Sequence, residues 1–419
     1  MVPTEHAADL MQFLDASPTS YHTVAEVAAR LAAAGLDVVA ETEPWDGLPE
    51  AGFTTRDGAL VAWRLPVGWG RDTGLRLFAA HTDSPALKLK PRGTHERLGS
   101  RLINVEVYGA PVLATWFDRD LAVAGRIVDL DGRIHLVRSA ALARVPSLAI
   151  HLDRSQNAQF SIDPQRDLVA LVGLASGSDL ASCLADLTGL GADQVAGHDL
   201  YLLSNEPAAR LGTGGELLAS ARQDNLLSVH AGLNAFLTSS AGDDVQVFVV
   251  HDHEEVGSQT ASGASGPFAA HLLRRLSAIH GLSTDAHHAW LNRGWCLSAD
   301  VTHAVHPNRP ERYDPTTWPV LGGGPVLKWS AAMRYGTDAT TMACWTRACR
   351  VAGVEDQVFV NHNSVPGGSS LGPLVATRLG VRTIDAGVAV LGMHSIRELS
   401  AIADQIGFNA VVGAFLAGA

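Results

Sequence analysis

The chain has 419 residues, a formal net charge of -12, 47% hydrophobic residues and 18% charged residues. This length exceeds one ordinary hydrophobic core and predicts two domains, and the composition excludes a disordered chain. The acidic balance and the absence of Lys/Arg runs exclude a nucleic-acid partner, because phosphate binding needs a clustered basic face.

The N-terminal segment MVPTEHAADLMQFLDAS carries acidic residues and lacks a basic region followed by an apolar one, so we predict no secretory signal. No apolar run reaches the length of a membrane span, which predicts no membrane partner. The four cysteines, Cys183, Cys296, Cys344 and Cys349, show no CxxC spacing. Neither a disulfide framework nor a thiolate zinc site is expected, and a reducing cytoplasm fits best.

Helical patterns alternate with apolar runs that end in a metal-capable residue. In chain order, helices are predicted over Thr23–Ala34, Asn225–Leu237, Pro267–His280 and Asp338–Ala352. Strands are predicted over Leu75–His81, Val245–Asp252, Gly294–Asp300 and within Val381–Ser395. This order indicates an α/β fold with a mostly parallel sheet and helices on its faces, in which ligands bind beyond the carboxyl ends of the strands.

The middle of the chain differs from both ends. From about Lys88 to Arg210, short alternating segments such as RLINVEVYG, LAVAGRIVDL and GRIHLVRS are typical of β-hairpins. The segment LGTGGELLAS, which ends at Ser220, returns the chain to the first domain. We therefore predict an α/β domain of residues 1–88 and 212–419, interrupted by an inserted β-rich domain of residues 89–211.

The adjacent carboxylates Glu254 and Glu255, which follow a fully apolar strand, are the strongest local signal. One interpretation is a solvated loop beside a helix N-cap. In the other, one carboxylate ligates a metal and its neighbour faces the substrate water, because consecutive side chains point in different directions.

Two further candidate metal ligands also have an ordinary structural interpretation. His81, in AAHTDSP, is either a structural histidine or a metal ligand oriented by Asp83. Asp224, in ARQDNLLS, is either a helix N-cap or a carboxylate that bridges two metals through both oxygens.

Asp300 is followed at intervals of three by His303 and His306. An extended or turning segment does not easily converge three residues at that spacing, so we take Asp300 alone as a ligand. His394 is a ligand or a residue at a helix N-terminus before the capping-box pattern Ser395-x-x-Glu398. Two histidines with Asp224, Glu255 and Asp300 predict a mixed N/O site for two zinc ions with open positions.

Nine motifs give the chain a nearly end-to-end resemblance to the M18 family of metallopeptidases, the aspartyl aminopeptidases. In the family's order they are AAHTDSP, LKLKP, IHLDR, RQDNL, DHEEVGS, SADVTHAVHPN, GGPVLK, GSSLGP and GMHSIRE. The resemblance implies that Asp224 bridges two Zn²⁺, that His81 and Asp300 complete one site, that Glu255 and His394 complete the other, and that Glu254 is the general base.

The resemblance also implies a two-zinc exopeptidase domain interrupted by a β-rich dimerisation domain, usually in a tetrahedral homo-dodecamer with interior active sites. The expected reaction is removal of N-terminal Asp or Glu from peptides. Lys328 matches the position that meets the acidic side chain, His303 lines the same site, and His151 matches a residue that reaches a neighbouring subunit's site. Without the resemblance, Lys328 would be interpreted as an edge-strand charge.

Two alternatives stay open. A related two-zinc hydrolase, such as a neutral aminopeptidase or a carboxypeptidase-like deacylase, could use the same ligands. A cation at Lys328 would, however, contribute little to binding a neutral substrate. A catalytically silent scaffold is the second, and the presence of Glu254 argues against it. Co²⁺ and Mn²⁺ accept the same ligand types as Zn²⁺.

Overall fold

The computed structural model describes residues 3–45, 47–239 and 242–419, so Met1, Val2, Asp46, Ser240 and Ala241 of the predicted catalytic domain lie outside it. The described helices are α1 Pro3–Ala16, α2 Ser20–Ala33, α3 Leu180–Thr188, α4 Gln223–Thr238, α5 Phe268–Ile279, α6 Thr284–Arg293, α7 Ala339–Ala352, α8 Gly372–Leu379 and α9 Ile402–Leu416. None of these described helices is long and apolar enough to cross a membrane.

The described strands fall into three sheets. They are β1 Asp37–Val38, β2 Ala51–Arg56, β3 Ala59–Arg64, β4 Leu75–His81, β5 Ala86–Arg97, β6 Ser100–Tyr108, β7 Leu121–Asp129, β8 Ile134–Ala143, β9 Ala170–Leu174, β10 Val195–Ser204, β11 Ala209–Leu211, β12 Leu217–Ser220, β13 Val245–His251, β14 Trp295–Ala299, β15 Thr302–His303, β16 Val326–Trp329, β17 Gln357–Val360, β18 Arg382–Gly387, β19 Ala389–Leu391 and β20 Glu398–Ala401.

The largest sheet has nine strands in the order β1-β2-β3-β13-β4-β14-β18-β16-β17. Its centre, β13-β4-β14-β18, pairs in parallel throughout. Every residue of β4 and β13 is buried, as expected of strands covered on both faces. His251 lies opposite His81, so these two strands end at the same level.

Helices cover both faces of this sheet. Phe78 and Ala80 of β4 pack in a core that includes residues of α1, α2, α4, α7 and α9. Leu75, Leu77 and Ala79 of the same strand pack in a second core with residues of α5, α6 and α8. The predicted α/β fold with a mostly parallel sheet is therefore confirmed.

The second sheet has six strands in the order β8-β7-β10-β5-β6-β9 and its own hydrophobic core. All of its neighbouring strands are antiparallel, including the hairpins β5–β6 and β7–β8. It extends from Ala86 to Ser204. The limits of the inserted domain, residues 89–211, stay a prediction.

The third sheet, in the order β11-β12-β20-β19-β15, was not anticipated. The sequence predicted a strand run within Val381–Ser395, but the chain divides there between β18 of the large sheet and β19 of the small one. In the small sheet, Ser220 of β12 lies opposite Glu398 of β20. This pairing brings the start of α4 beside the turn that joins β19 to β20.

Two of the alternatives proposed for site residues are wrong. Arg222, in a left-handed conformation, stands at the N-cap of α4, and Asp224 lies inside the helix start with φ -79° and ψ 106°, outside helical geometry. No helix begins at His394 in the described chain; β20 follows instead, so Ser395-x-x-Glu398 is not a capping box. The predicted capping roles are replaced by contacts at the ends of the sheets.

We expect Gly232→Ala to lower the free energy of unfolding by about 1–3 kcal/mol, because the added Cβ would overlap the buried Phe78 ring in a close-packed core. Gly413→Ala in α9 is the matched control, since a Cβ there meets nothing within 4 Å. It should raise the free energy of unfolding by up to about 1 kcal/mol through helix propensity. Urea unfolding measures both, and equal effects would contradict the packing argument.

Candidate metal centre

The candidate residues meet at one edge of the large sheet. His81 is the last residue of β4, and Asp300 follows β14 directly. Glu254 and Glu255 begin a short 3-10 helix after β13. Asp224 enters from the start of α4 and His394 from the turn before β20. The parallel register of the central strands explains why residues so far apart in sequence converge here.

The side chains form two groups that share Asp224. His81 Nε2 lies 3.4 Å from Asp224 Oδ1 and 3.7 Å from Asp300 Oδ1. His394 Nε2 lies 3.2 Å from Asp224 Oδ2 and 3.4 Å from Glu255 Oε1. Zinc–ligand distances of 2.0–2.2 Å make the edge of a tetrahedron roughly 3.3–3.6 Å, which matches this spacing. Each group could hold a metal ion.

Two buried oxygens in these groups support the same fit. Asp224 Oδ1 and Glu255 Oε1 make no hydrogen bond to any described part of the chain. Buried acceptors are normally satisfied, so oxygens left unpaired and aimed at neighbouring ligand atoms suit a cation. A third compatible group, His81 with Glu254 and Glu255, overlaps the first two.

The pocket has more carboxyl groups than basic groups. Its carboxyl groups are Asp83, Asp224, Glu254, Glu255, Asp300 and Glu398, and its basic groups are His81, Lys328 and His394.

Desolvation, and then the charges of Asp300 and Asp224, raise the pKa of Glu254 to about 7. Although desolvation opposes it, the hydrogen bond with Asp224 and the charge of Glu255 raise the pKa of His394 to about 10. Burial is the main cause of the Glu254 shift and nearby carboxylates cause the His394 shift, and divalent cations would favour the ionised form of Glu254.

Asp83 organises one side of the pocket. Its Oδ1 accepts from the backbone N–H of Glu254 at 3.0 Å, and its Oδ2 accepts from that of Glu255 at 3.1 Å. His81 Nδ1 lies 3.4 Å from the Asp83 carboxylate but 3.0 Å from its backbone carbonyl, so the carbonyl is the nearer partner of the imidazole. One residue thus fixes the position of three candidate groups.

The second sheet contributes contacts that the sequence did not predict. Tyr108, at the end of β6, donates its hydroxyl to Asp83 Oδ2 at 2.7 Å. The carbonyl of Ala110 lies 3.0 Å from His394 Nδ1, and the N–H of Val112 donates to the His394 carbonyl at 2.8 Å. The segment YGAPV gave only a weak signal in the sequence, a turn after an alternating strand.

The residues expected to bind substrate lie in different places. Lys328 is buried in β16, between β18 and β17, so the edge-strand alternative is wrong. Its Nζ donates to Asp300 Oδ2 at 2.9 Å, and although burial opposes the charge, Asp300 raises the pKa of Lys328 above its usual value.

His303 is exposed, and its ring packs against Phe359 with a centroid separation of 6.1 Å. Its ring partner Phe359 pairs with Lys328 between β17 and β16, and desolvation and the charge of Lys328 lower the pKa of His303. His151 lies in an exposed turn, and no described hydrogen bond or ion pair joins it to the candidate site. Lys328 therefore contacts a candidate ligand and His303 packs beside the strand pair that contains Lys328, whereas no described contact links His151 to the site.

The chain is similar to known proteins over nearly its whole length. Residues 13–416 match the family model described as aminopeptidase I zinc metalloprotease (M18). The "Probable M18 family aminopeptidase 2" of Streptomyces avermitilis is 45% identical over 423 residues, which cover 99% of this chain and 98% of that protein.

Two solved structures have the same fold. A chain in the cryo-EM structure of the Ape4 and Nbr1 complex has a TM-score of 0.95 at 32% identity, covering 99% of this chain and 86% of that one. A chain of the S. cerevisiae mApe1 dodecamer has a TM-score of 0.86 at 26% identity, covering 98% of this chain and 95% of that one.

Tyr108→Phe should lower the free energy of unfolding, measured in urea with a metal chelator, by about 1–3 kcal/mol, because the buried Asp83 carboxylate loses a hydrogen-bond donor. Tyr201→Phe is the control: its ring packs on Tyr108, but Asp83 keeps its hydrogen bonds. Equal losses in the two variants would show that the hydroxyl contact with Asp83 is not the cause.

Proposed function

Because the chain belongs to the M18 family of zinc metalloproteases, we propose that it is a two-zinc aminopeptidase that removes Asp or Glu from peptide N-termini. The main support for this proposal is the position of Asp224, whose two carboxylate oxygens face separate groups of ligand atoms. The membership of the M18 family that the sequence predicted is confirmed. The number of metals and the preference for acidic residues are proposals.

In this proposal, His81, Asp224 and Asp300 hold one zinc, and Asp224, Glu255 and His394 hold the other. Bound zinc would lower the pKa of a water molecule and polarise the scissile carbonyl. Co²⁺ or Mn²⁺ could substitute, since both accept imidazole and carboxylate ligands. The ligand atoms leave room for substrate because each group has only three protein donors.

Glu254 is proposed as the general base. Its carboxylate lies in the group with His81 and Glu255, and its backbone N–H is fixed by Asp83. Glu254 would take the proton from the attacking water and return it to the leaving amine. The substrate's free α-amino group would bind among the carboxylates of the second group, which limits cleavage to the first peptide bond.

Lys328 supports the preference for acidic residues. It is a buried cation beside a candidate ligand, and an ammonium with three donors can bind a substrate carboxylate while it keeps Asp300. His303, whose ring packs on Phe359 opposite Lys328, is proposed to contribute to the same pocket. The net charge of -12 affects long-range steering, whereas the local cation governs the pocket.

Assembly is proposed by analogy with mApe1, which is described as a dodecamer. We propose a homo-oligomer, with a tetrahedral dodecamer as the expected form, in which the exposed His151 reaches the site of another subunit. A cytoplasmic location stays a prediction.

Reporter release from N-terminal Asp, Glu, Leu and Lys peptides, with zinc and after chelation, tests this function. We expect the wild type to cleave Asp and Glu peptides and to lose this activity after chelation. Lys328→Met should reduce the preference for Asp over Leu about 10–100-fold, because it removes the cation of the pocket. Zinc content of the variant is the control, because Lys328 also contacts Asp300.

Preference for Leu in the wild type would favour the neutral aminopeptidase, and no cleavage with any metal would favour the silent scaffold. A variant that keeps its zinc and its preference for Asp would contradict the role of Lys328.

Glu254→Gln should lower kcat by about 10²–10⁴-fold at unchanged zinc content, because the amide cannot accept the proton of the water. The exposed Glu355→Gln should leave kcat unchanged. Steady-state kinetics with zinc counted by atomic emission distinguishes the two. Near-normal turnover by a zinc-loaded Glu254→Gln enzyme would remove Glu254 from the role of base.

A further inference from the structure

Glu398 is a buried carboxylate that contacts the backbone of two candidate ligands. It opens β20 and is 2% exposed. Its Oε1 accepts from the His394 N–H at 2.9 Å, and its Oε2 accepts from the Asp224 N–H at 3.1 Å. It belongs to none of the residue groups that could hold a metal ion in the described chain.

Both backbone segments need an external partner. Asp224 stands at the start of α4, where a backbone N–H has no acceptor one turn earlier in the helix. His394 has φ 64°, a left-handed conformation that residues with side chains rarely adopt without support from their surroundings. Glu398 supplies an acceptor to each of them.

The position of Glu398 is itself fixed. It pairs with Ser220 between β20 and β12, and its backbone carbonyl accepts from Gln223 Nε2 at 2.9 Å. A single carboxyl group therefore joins two loops that are distant in sequence. The distance of 3.2 Å between His394 Nε2 and Asp224 Oδ2 depends on the separation of these loops.

The other side of the pocket has a different support. Asp83 fixes His81 and the Glu254–Glu255 backbone, and Lys328 contacts Asp300. Loss of Glu398 would leave those contacts in place. Its effect should therefore fall on the pair Asp224 and His394.

We propose that Glu398 is a positioning residue that sets the spacing of Asp224 and His394, so that the zinc held by Asp224, Glu255 and His394 depends on it more than the zinc held by His81, Asp224 and Asp300. This inference rests on the proposed two-zinc function. Glu398 would act through the backbone of the ligands, because it belongs to none of the described groups that would hold the metals.

Zinc titration of the full-length, metal-stripped protein in competition with a chromogenic chelator tests the inference without an activity assay. The wild type should bind two zinc ions. In Glu398→Gln one binding step should weaken about 10–100-fold while the other changes little, since the amide offers one acceptor oxygen and turns its NH₂ toward the second N–H. Glu398→Asp, which keeps the charge but is too short to reach both N–H groups, should weaken the same step.

Asp404 offers a matched control. It is also buried, and its two oxygens accept from the backbone N–H groups of Gly322 and Gly324, both at 2.8 Å. It belongs to none of the candidate metal groups in the described chain. Asp404→Asn should change the free energy of unfolding and leave both zinc-binding steps unchanged.

The outcomes separate the two proposals. A wild type that binds fewer than two zinc ions would overturn the proposed function together with this inference. If the wild type binds two, then unchanged binding by both Glu398 variants, or parallel weakening of both steps, would overturn the inference alone. Loss of one step in Asp404→Asn as well would also overturn it, because any buried carboxylate would then have the same effect.

Discussion

Crowding of buried carboxyl groups at one edge of the large sheet is the constraint on which the site depends. Asp83, Asp224, Glu255 and Asp300 are each at most partly accessible there, and a buried anion is costly unless it is paired or hydrogen-bonded. The chain meets this cost in two ways. Backbone N–H groups and Tyr108 donate hydrogen bonds to Asp83. One oxygen each of Asp224 and Glu255 has no hydrogen-bond donor in the described chain, which suits a bound cation.

The site takes residues from all three sheets, which links its geometry to the whole fold. The large sheet provides His81, Asp300 and the Glu254–Glu255 turn through the common register of β4, β13 and β14. The small sheet places the Asp224 and His394 loops side by side. Tyr108 at the end of the second sheet's β6 contacts Asp83, and Ala110, just after that strand, contacts His394. Movement of the second sheet relative to the others would therefore alter the ligand positions.

The sequence predicted the part of the fold with simple periodicity. Central strands are mostly apolar and lead into residues that can bind a metal, so β4, β13 and β14 could be recognised together with His81, Glu255 and Asp300. Helix α9 was missed because its sequence, IADQIGFNAVVGAFL, is apolar on most sides and lacks an amphipathic stripe. Glu398 and Tyr108 were missed because their role depends on contacts between sheets, which local pattern does not encode.

In the proposed function, Lys328 would link substrate preference to the metal centre. Its ammonium contacts Asp300, the same carboxylate that completes the group with His81 and Asp224. A cation bound by Asp300 would draw electron density from the oxygen that faces Lys328, which would leave the ammonium freer to meet a second anion. An acidic side chain could then be recognised in a pocket that is itself lined with carboxylates. Under the proposed function, metal binding and acidic preference should therefore change together when Asp300 is altered, because the same carboxylate contacts both the metal group and Lys328.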